Sequence, residues 1–143
     1  MRIVIDGDAM PSIDLIENVA KKYGLECFIF CDFTHNINSN YSKITVLSQG
    51  YQNVDMKILE FIKANDIVIT NDYGLASLCL NTCFAMDSKG LRYTNSNIDI
   101  LLQNRYLNLK SKKKKGPKKR TNLDNIKLVT LLEEIINKYG IIK

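Results

Sequence analysis

The sequence predicts an α/β fold, a three-layer αβα sandwich around a mainly parallel sheet of roughly five strands. Short apolar runs alternate with amphipathic helical segments, which is typical of a parallel sheet covered by helices on both faces. The runs FIF at 28–30 and IVIT at 67–70 are continuously apolar, as strands buried on both faces must be. The length of 143 residues suits one domain with a substantial core.

Each predicted element rests on a local pattern. Apolar β runs place the strands at 2–5, 25–31, 43–48, 66–71 and 82–86. Helical patterns and caps place the helices at 12–23, 54–64, 73–80, 98–109 and from about 121 to 139. Gly24 ends the first helix, and Asn95 or Asn97 caps the fourth. Thr121 with Asp124 forms a variant capping box for the last helix, and the Asn-rich segment 32–42 is predicted to be a loop.

The charge is unevenly distributed along the chain. The net charge is +5, from 20 Lys and Arg against 15 Asp and Glu. Residues 110–120, the basic strap, carry eight positive charges and no acid, so the rest of the chain carries −3. We therefore expect an α/β domain at 1–109, the basic strap at 110–120, and a C-terminal helix at 121–143 that packs on the same domain. This division argues against a uniformly basic, histone-like protein.

Other classes of protein are disfavoured by simple features. No apolar run reaches the roughly 18 residues that a membrane span needs. An acid at position 6 argues against a signal or transit peptide, so we expect a cytoplasmic protein. The four cysteines at 27, 31, 79 and 83 form two C-x3-C pairs, which is not the usual spacing of a zinc site. We interpret them as buried thiols that stay reduced.

Four acids are the candidate catalytic and metal-binding residues. Asp6 and Asp8 follow the first strand, Asp72 follows the strand at 66–71, and Asp55 opens the preceding helix. Functional sites of such folds lie at the carboxyl ends of the strands. If the first strand and the strand at 66–71 are neighbours, these acids converge. Clustered carboxylates repel one another, so a site that gathers them normally contains a cation. Hard oxygen ligands favour Mg²⁺ or Mn²⁺ as that cation.

Each acid also has a structural interpretation, except one. Asp55 suits the first turn of a helix through the helix dipole. Asp8 and Asp72 could each cap the helix that follows them. Asp6 ends a buried strand and has no such explanation. The only histidine, His35, lies in the Asn-rich loop, and we predict no histidine-based mechanism.

A series of short motifs runs in order along nearly the whole chain. They are DGDAMP at 6–11, VDxxI at 54–58, TNDYGLA at 70–76, KGLRYT at 89–94, NI at 97–98, Arg105 and GP at 116–117. Together they resemble the YaiI/YqxD family of bacterial proteins. That family is regarded as PIN-like in fold and has no established activity. PIN domains are metal-dependent ribonucleases, so the resemblance implies by analogy that Asp6, Asp8, Asp55 and Asp72 bind the metal.

The chain departs from the family pattern at two positions. Met10 stands where the family usually has a cysteine. Gln52 stands three residues before Asp55, where the family usually has another acid. The second change removes a possible metal ligand.

The basic strap and its neighbours are the predicted contacts to nucleic acid. Lysines and arginines that neutralise phosphates give salt-dependent binding, and a guanidinium can contact a phosphate through two N–H groups. Tyr93 could stack on a base. The predicted contacts are Arg92, Tyr93, Arg105, Lys112, Lys113, Lys114, Lys115, Lys118, Lys119 and Arg120. A solvated loop is the alternative interpretation of the strap.

Three functions remain open from the sequence. The first is a divalent-metal-dependent nuclease whose partner is nucleic acid, with RNA expected ahead of DNA. The second is a nucleic-acid-binding protein without catalysis, which the Gln52 departure favours. The third is a phosphatase that forms an aspartyl-phosphate on Asp6, with Asp8 as the acid; the Asn71-Asp72 pair is a poor match to the paired acids such enzymes need.

Overall fold

The computed structural model describes residues 1–48, 53–110 and 119–140. Within these ranges the strands are β1 (Ile3–Asp6), β2 (Cys27–Asp32), β3 (Lys43–Leu47), β4 (Ile67–Ile69), β5 (Phe84–Met86) and β6 (Arg92–Tyr93). The helices are α1 (Ile13–Tyr23), α2 (Val54–Phe61), α3 (Tyr73–Cys79), α4 (Ile98–Lys110) and α5 (Asn122–Tyr139). The α/β prediction is confirmed.

The strands form one mixed sheet in the order β3-β2-β1-β4-β5-β6. The first five pair in parallel, and only the last pair, β5 with β6, is antiparallel. The sequence predicted five strands and missed β6, because two residues are too short to show an alternating pattern. Strands β1 and β4 are neighbours in this sheet. The predicted convergence of the acids required this pairing.

The layers follow from which side of the sheet each side chain faces. Ile3 and Ile5 of β1 pack in one apolar cluster with residues of α1 and α5. Val4, between them, faces the other cluster, which contains residues of α2, α3 and α4. All three side chains are fully buried, as strands covered on both faces require. The sheet is therefore a rigid base whose strand ends are held from both sides.

Local signals predicted several boundaries. Gly24 ends α1 in a left-handed conformation with φ 66°, which glycine adopts without strain. Thr121 and Asp124 form a reciprocal capping box at the start of α5. In contrast, α2 ends at Phe61 rather than at residue 64, because the backbone of Ile62 is extended.

The cysteines are all free thiols, and Cys27, Cys31 and Cys79 are buried as predicted. Cys83 is half-buried, so the prediction of a fully buried thiol is wrong there. No helix within the described residues is long and apolar enough to cross a membrane.

Candidate metal centre

A pocket of about 770 Å³ opens at the carboxyl ends of β1 and β4. We call it the acidic pocket. Its described lining comprises Asp6, Asp8, Asp55, Asn71, Asp72, Tyr73, Leu101, Asn104 and Arg105. All four acids singled out from the sequence therefore line one pocket. Its volume lies within the range of about 300–1,000 Å³ that is usual for ligand sites.

Asp6 is the buried acid of the pocket, with 7% of its surface exposed. Its Oδ2 accepts a hydrogen bond of 2.8 Å from the Thr70 hydroxyl, and its Oδ1 accepts one of 3.4 Å from the N–H of Asp8. Burial raises the pKa of Asp6 to about 6, and the charges of Asp55 and Asp8 add to the rise, while these two hydrogen bonds oppose it. A bound cation would relieve this unfavourable burial of charge.

Asp55 and Asp72 reach the pocket from helix N-termini. Asp55 lies in the first turn of α2, behind the cap Asn53. Burial raises the pKa of Asp55, and the charges of Asp72 and Asp8 raise it further. Asp72 caps α3, so its structural interpretation is confirmed. Although it caps the helix, Asp72 also lines the pocket. Its Oδ1 lies 3.6 Å from Nη1 of Arg105.

Gly7 explains how a loop can lie close to the end of β1. A side chain there would place its Cβ 2.9 Å from Ile29 and from Ile37, and 3.1 Å from the carbonyl oxygen of Phe30. Such contacts are too short to be tolerated without movement. Glycine therefore lets the segment that follows β2 fold over the Asp6–Asp8 turn.

The same approach brings a second group of ligand atoms to Asp8. His35 Nδ1 lies 3.1 Å from Asp8 Oδ1 and 3.0 Å from Asp32 Oδ1. The three side chains offer ligand atoms within 4.8 Å of one another, so the group could hold a metal ion. Asp32 accepts hydrogen bonds from Thr34 and His35, and these bonds lower the pKa of Asp32. The bond from the Thr34 hydroxyl has the largest effect. Asp8 belongs to both this group and the acidic pocket.

Sequence reasoning missed Asp32 and His35. Asp32 ends β2, which pairs with β1 on the side away from β4. The rule that selected Asp6 and Asp72 could therefore have selected Asp32, which directly follows the predicted strand at 25–31, but we assigned Asp32 to the Asn-rich loop. His35 carries no signal of its own in the sequence, since its position depends on the close approach at Gly7.

The outer wall of the pocket is polar and partly cationic. Arg105 lies on α4 with 54% of its side chain exposed. Asn104 precedes it on the same helix and is also exposed. Asn71 is fixed, because its Oδ1 accepts hydrogen bonds of 3.0 Å from both the N–H and the hydroxyl of Ser88. This arrangement directs the amide nitrogen of Asn71, a donor, away from Ser88.

Two of the predicted contacts to nucleic acid, Arg92 and Tyr93, lie outside the described lining of the pocket. Tyr93 is 1% exposed and its hydroxyl donates to the carbonyl oxygen of Thr70 at 3.0 Å, so its ring offers no face to a base. The Arg92 guanidinium lies 5.3 Å from the ring centroids of both Phe84 and Tyr139. The prediction that Tyr93 stacks on a base is therefore wrong, because its ring is part of the packing. Arg92 is half-buried against the rings of Phe84 and Tyr139, and its contact with a phosphate stays a prediction.

Arg120 is a structural link between two helix starts. Its Nε donates to Asn125 Oδ1 at 2.8 Å and to the Ser12 hydroxyl at 3.2 Å. These bonds use Nε alone, and Nη1 and Nη2 are buried with no hydrogen-bond partner among the described residues, so the phosphate clamp stays a prediction. Lys119 is exposed beside it. The lysines at 112–115 and 118 lie outside the described residues, and so does Gln52.

Fold and pocket together define an α/β protein with an oxygen-rich acidic pocket at the carboxyl edge of its sheet. The chain belongs to the YaiI/YqxD family. The family model, described as an uncharacterized BCR of the YaiI/YqxD family, matches residues 4–138. This match confirms the resemblance that the motifs indicated.

Relatives from several bacteria match along almost the whole chain. A UPF0178 protein of Clostridium novyi (strain NT) is 43% identical over 143 residues, which cover 96% of each chain. A UPF0178 protein of Clostridium kluyveri is 40% identical over 141 residues, or 95% of this chain and 93% of the relative. One of Natranaerobius thermophilus is 37% identical over 142 residues, or 95% and 96% of the two chains. No solved structure matches.

Proposed function

We propose that the protein is a divalent-metal-dependent nuclease that acts on RNA in preference to DNA. The observation that carries the proposal is the convergence of Asp6, Asp8, Asp55 and Asp72 in one pocket at the carboxyl edge of the sheet. The analogy with PIN-like ribonucleases, implied by the sequence motifs, supports the same reaction. Fold analogy alone would be a weak argument, so the proposal depends on the residues of the pocket.

The residues of the pocket fit a divalent metal ion. Burial and neighbouring carboxylates raise the pKa values of Asp6 and Asp55, which indicates unfavourable crowding of negative charge. Hard carboxylate oxygens suit Mg²⁺ or Mn²⁺. When bound, such an ion supplies an activated water and neutralises charge on a phosphate.

Arg105 would bind the phosphate beside Asp72. Its guanidinium stands 3.6 Å from Asp72 at the edge of the pocket. In this position it can donate two hydrogen bonds to the non-bridging oxygens of a phosphodiester. The amides of Asn71 and Asn104 add further polar groups along the same wall.

The geometry disfavours the aspartyl-phosphate reaction. A nucleophilic Asp6 would need an accessible carboxylate, but Asp6 is 7% exposed and holds hydrogen bonds with Thr70 and Asp8. Such enzymes also need a placed lysine. Within the described part of the chain, the only cation that lines the pocket is Arg105.

The direct test is cleavage of labelled oligonucleotides by the purified full chain. We expect single-stranded RNA to be cleaved in Mn²⁺, DNA of the same sequence to be cleaved more slowly, and neither to be cleaved after addition of EDTA. Binding of RNA without any cleavage in Mn²⁺ or Mg²⁺ would instead favour the non-catalytic nucleic-acid-binding protein.

Removing the positive charge of Arg105 should weaken substrate binding. For Arg105→Ala we expect KM for RNA to rise about tenfold, since a hydrogen bond to a charged group contributes ~1.5–3 kcal/mol. The matched control is Lys43→Ala, because Lys43 is an exposed cation at the start of β3, at the opposite end of the strands. Steady-state kinetics compare the two variants, and equal KM values would contradict a role for Arg105.

His35→Ala separates the Asp8–Asp32–His35 group from the acidic pocket. It removes one ligand atom from that group and leaves the four pocket carboxylates intact. We expect Zn²⁺ affinity to fall at least about tenfold, because imidazole suits Zn²⁺, while Mn²⁺-dependent cleavage stays within about threefold of wild type. Calorimetric titrations with each metal measure the affinities. Loss of Mn²⁺ binding and cleavage together would place the essential ion at the His35 group.

A further inference from the structure

Two of the side chains that line the acidic pocket, Tyr73 and Leu101, are mainly apolar. They follow or precede its charged residues in the chain, since Tyr73 comes directly after Asp72 and Leu101 lies one helical turn before Arg105 on α4. Both are half-buried, and both pack against the cluster that contains Val4 and Val68. We call these two side chains the apolar ledge. Neither metal binding nor phosphate binding uses an apolar surface, so the proposed chemistry leaves the ledge unexplained.

The ledge is held in place by the same residues that hold the buried acid. The rings of Tyr73 and Tyr93 are in contact, with centroids 5.9 Å apart and an interplanar angle of 71°. The Tyr93 hydroxyl donates to the Thr70 carbonyl at 3.0 Å, and the Thr70 hydroxyl donates to Asp6 at 2.8 Å. Thr70 and Tyr93 are nearly inaccessible to solvent. Tyr73 is therefore fixed relative to the carboxylates.

The surroundings of the ledge match the parts of a nucleotide. An aromatic ring and an aliphatic side chain in one pocket offer apolar surface to the face of a nucleobase. Arg105 and the four carboxylates line the same pocket, where a phosphate would be held. The amides of Asn71 and Asn104 can hydrogen-bond to base edges or sugar hydroxyls.

We infer that Tyr73 and Leu101 form a base-stacking subsite that binds the unpaired nucleobase next to the scissile phosphate. This inference rests on the proposed function, because the phosphate would lie at the carboxylates. Tyr73 is then a specificity-determining residue, which selects substrates that present a base at that position. Tyr93, which the sequence predicted to stack on a base, instead packs against the ring of Tyr73.

Tyr73→Leu tests the subsite with little disturbance of the packing, since leucine keeps apolar volume but lacks the aromatic face. The measurement is fluorescence anisotropy with labelled RNA and with an oligonucleotide of the same length that lacks bases, in Ca²⁺ and at fixed salt. For wild type we expect the base-containing strand to bind about tenfold more tightly than the abasic one. In Tyr73→Leu this preference should fall to about twofold or less, with abasic binding unchanged.

Two further variants control the experiment. Tyr73→Phe keeps the ring and should retain the wild-type preference. Leu78→Ala removes an exposed apolar side chain from the same helix, outside the described lining of the pocket, and should also behave as wild type. Circular dichroism checks that each variant is folded.

The outcomes distinguish the subsite from the reaction. Equal binding of RNA by Tyr73→Leu and wild type would overturn the subsite, even if wild type cleaves RNA. The expected loss of preference, in a protein that cleaves nothing, would support the subsite and contradict the nuclease. Wild type that binds neither strand would overturn both.

Discussion

Asp72→Asn is expected to reduce Mn²⁺-dependent cleavage more than about 100-fold while leaving the protein folded. Asp72 has two roles, because it lines the acidic pocket and its Oδ1 accepts the N–H groups of Gly74 at 2.8 Å and Leu75 at 3.3 Å. Asparagine keeps an oxygen for both N–H groups, so the helix cap survives and only the charge is lost. Residues that merely support metal ligands change affinity or activity 10–100-fold, and a ligand should matter more.

Asp87→Asn is the matched control for this loss. Asp87 follows β5 at the same edge of the sheet, and its Oδ1 accepts the N–H groups of Lys89 and Leu91, both at 2.8 Å. It is not among the described residues that line the pocket. We therefore expect this variant to cleave RNA at the wild-type rate. Wild-type cleavage by Asp72→Asn at saturating Mn²⁺ would show that Asp72 is not a ligand.

Asp6→Asn is expected to stabilise the metal-free protein, with a size that depends on pH. Burial raises the pKa of Asp6 from 3.8 to about 6. As pH rises from about 3.8 to about 6, the unfolded chain releases this proton while the folded chain keeps it, so Asp6 costs stability progressively over this range and costs its full amount above about pH 6. Near pH 7.5 the variant should be more stable by up to about 3 kcal/mol. Near pH 4 the difference should almost disappear.

Urea unfolding in EDTA at several pH values measures this difference. Asp14→Asn, which removes an exposed acid in the first turn of α1, should show no such dependence. Added Mn²⁺ should reverse the order, because a ligand that binds only the folded state stabilises wild type and not a variant that lacks a ligand. An Asp6→Asn advantage that is the same at pH 4 and 7.5 would contradict the buried, ionised carboxylate.

The acidic pocket could be predicted from the sequence because it depends on strand order and strand ends. Continuous apolar runs identified β1 and β4; Asp6 ends β1, and Asp72 follows β4 after Thr70 and Asn71. The parallel pairing Ile3 with Ile67 through Ile5 with Ile69 then brings Asp6 and Asp72 to the same edge. Such a site follows from topology, which local patterns determine well.

The parts that could not be predicted depend on contacts between distant segments. His35 reaches Asp8 only because Gly7 lets the loop after β2 approach within the space of one methyl group. Tyr93 belongs to a two-residue strand, whose pairing with Ala85 buries it. Because Tyr93 is buried, the aromatic ring that lines the pocket is that of Tyr73. Neither relation leaves a periodic pattern in the sequence.

The most direct test of the metal centre is a crystal grown with Mn²⁺ and measured for anomalous scattering. The proposed function predicts a peak in the acidic pocket, within coordination distance of the carboxylates of Asp6 and Asp72. The peak should be absent in Asp72→Asn and present in Asp87→Asn. No peak at these carboxylates, or a single peak confined to Asp32 and His35, would contradict the proposal that the four acids hold the catalytic ion.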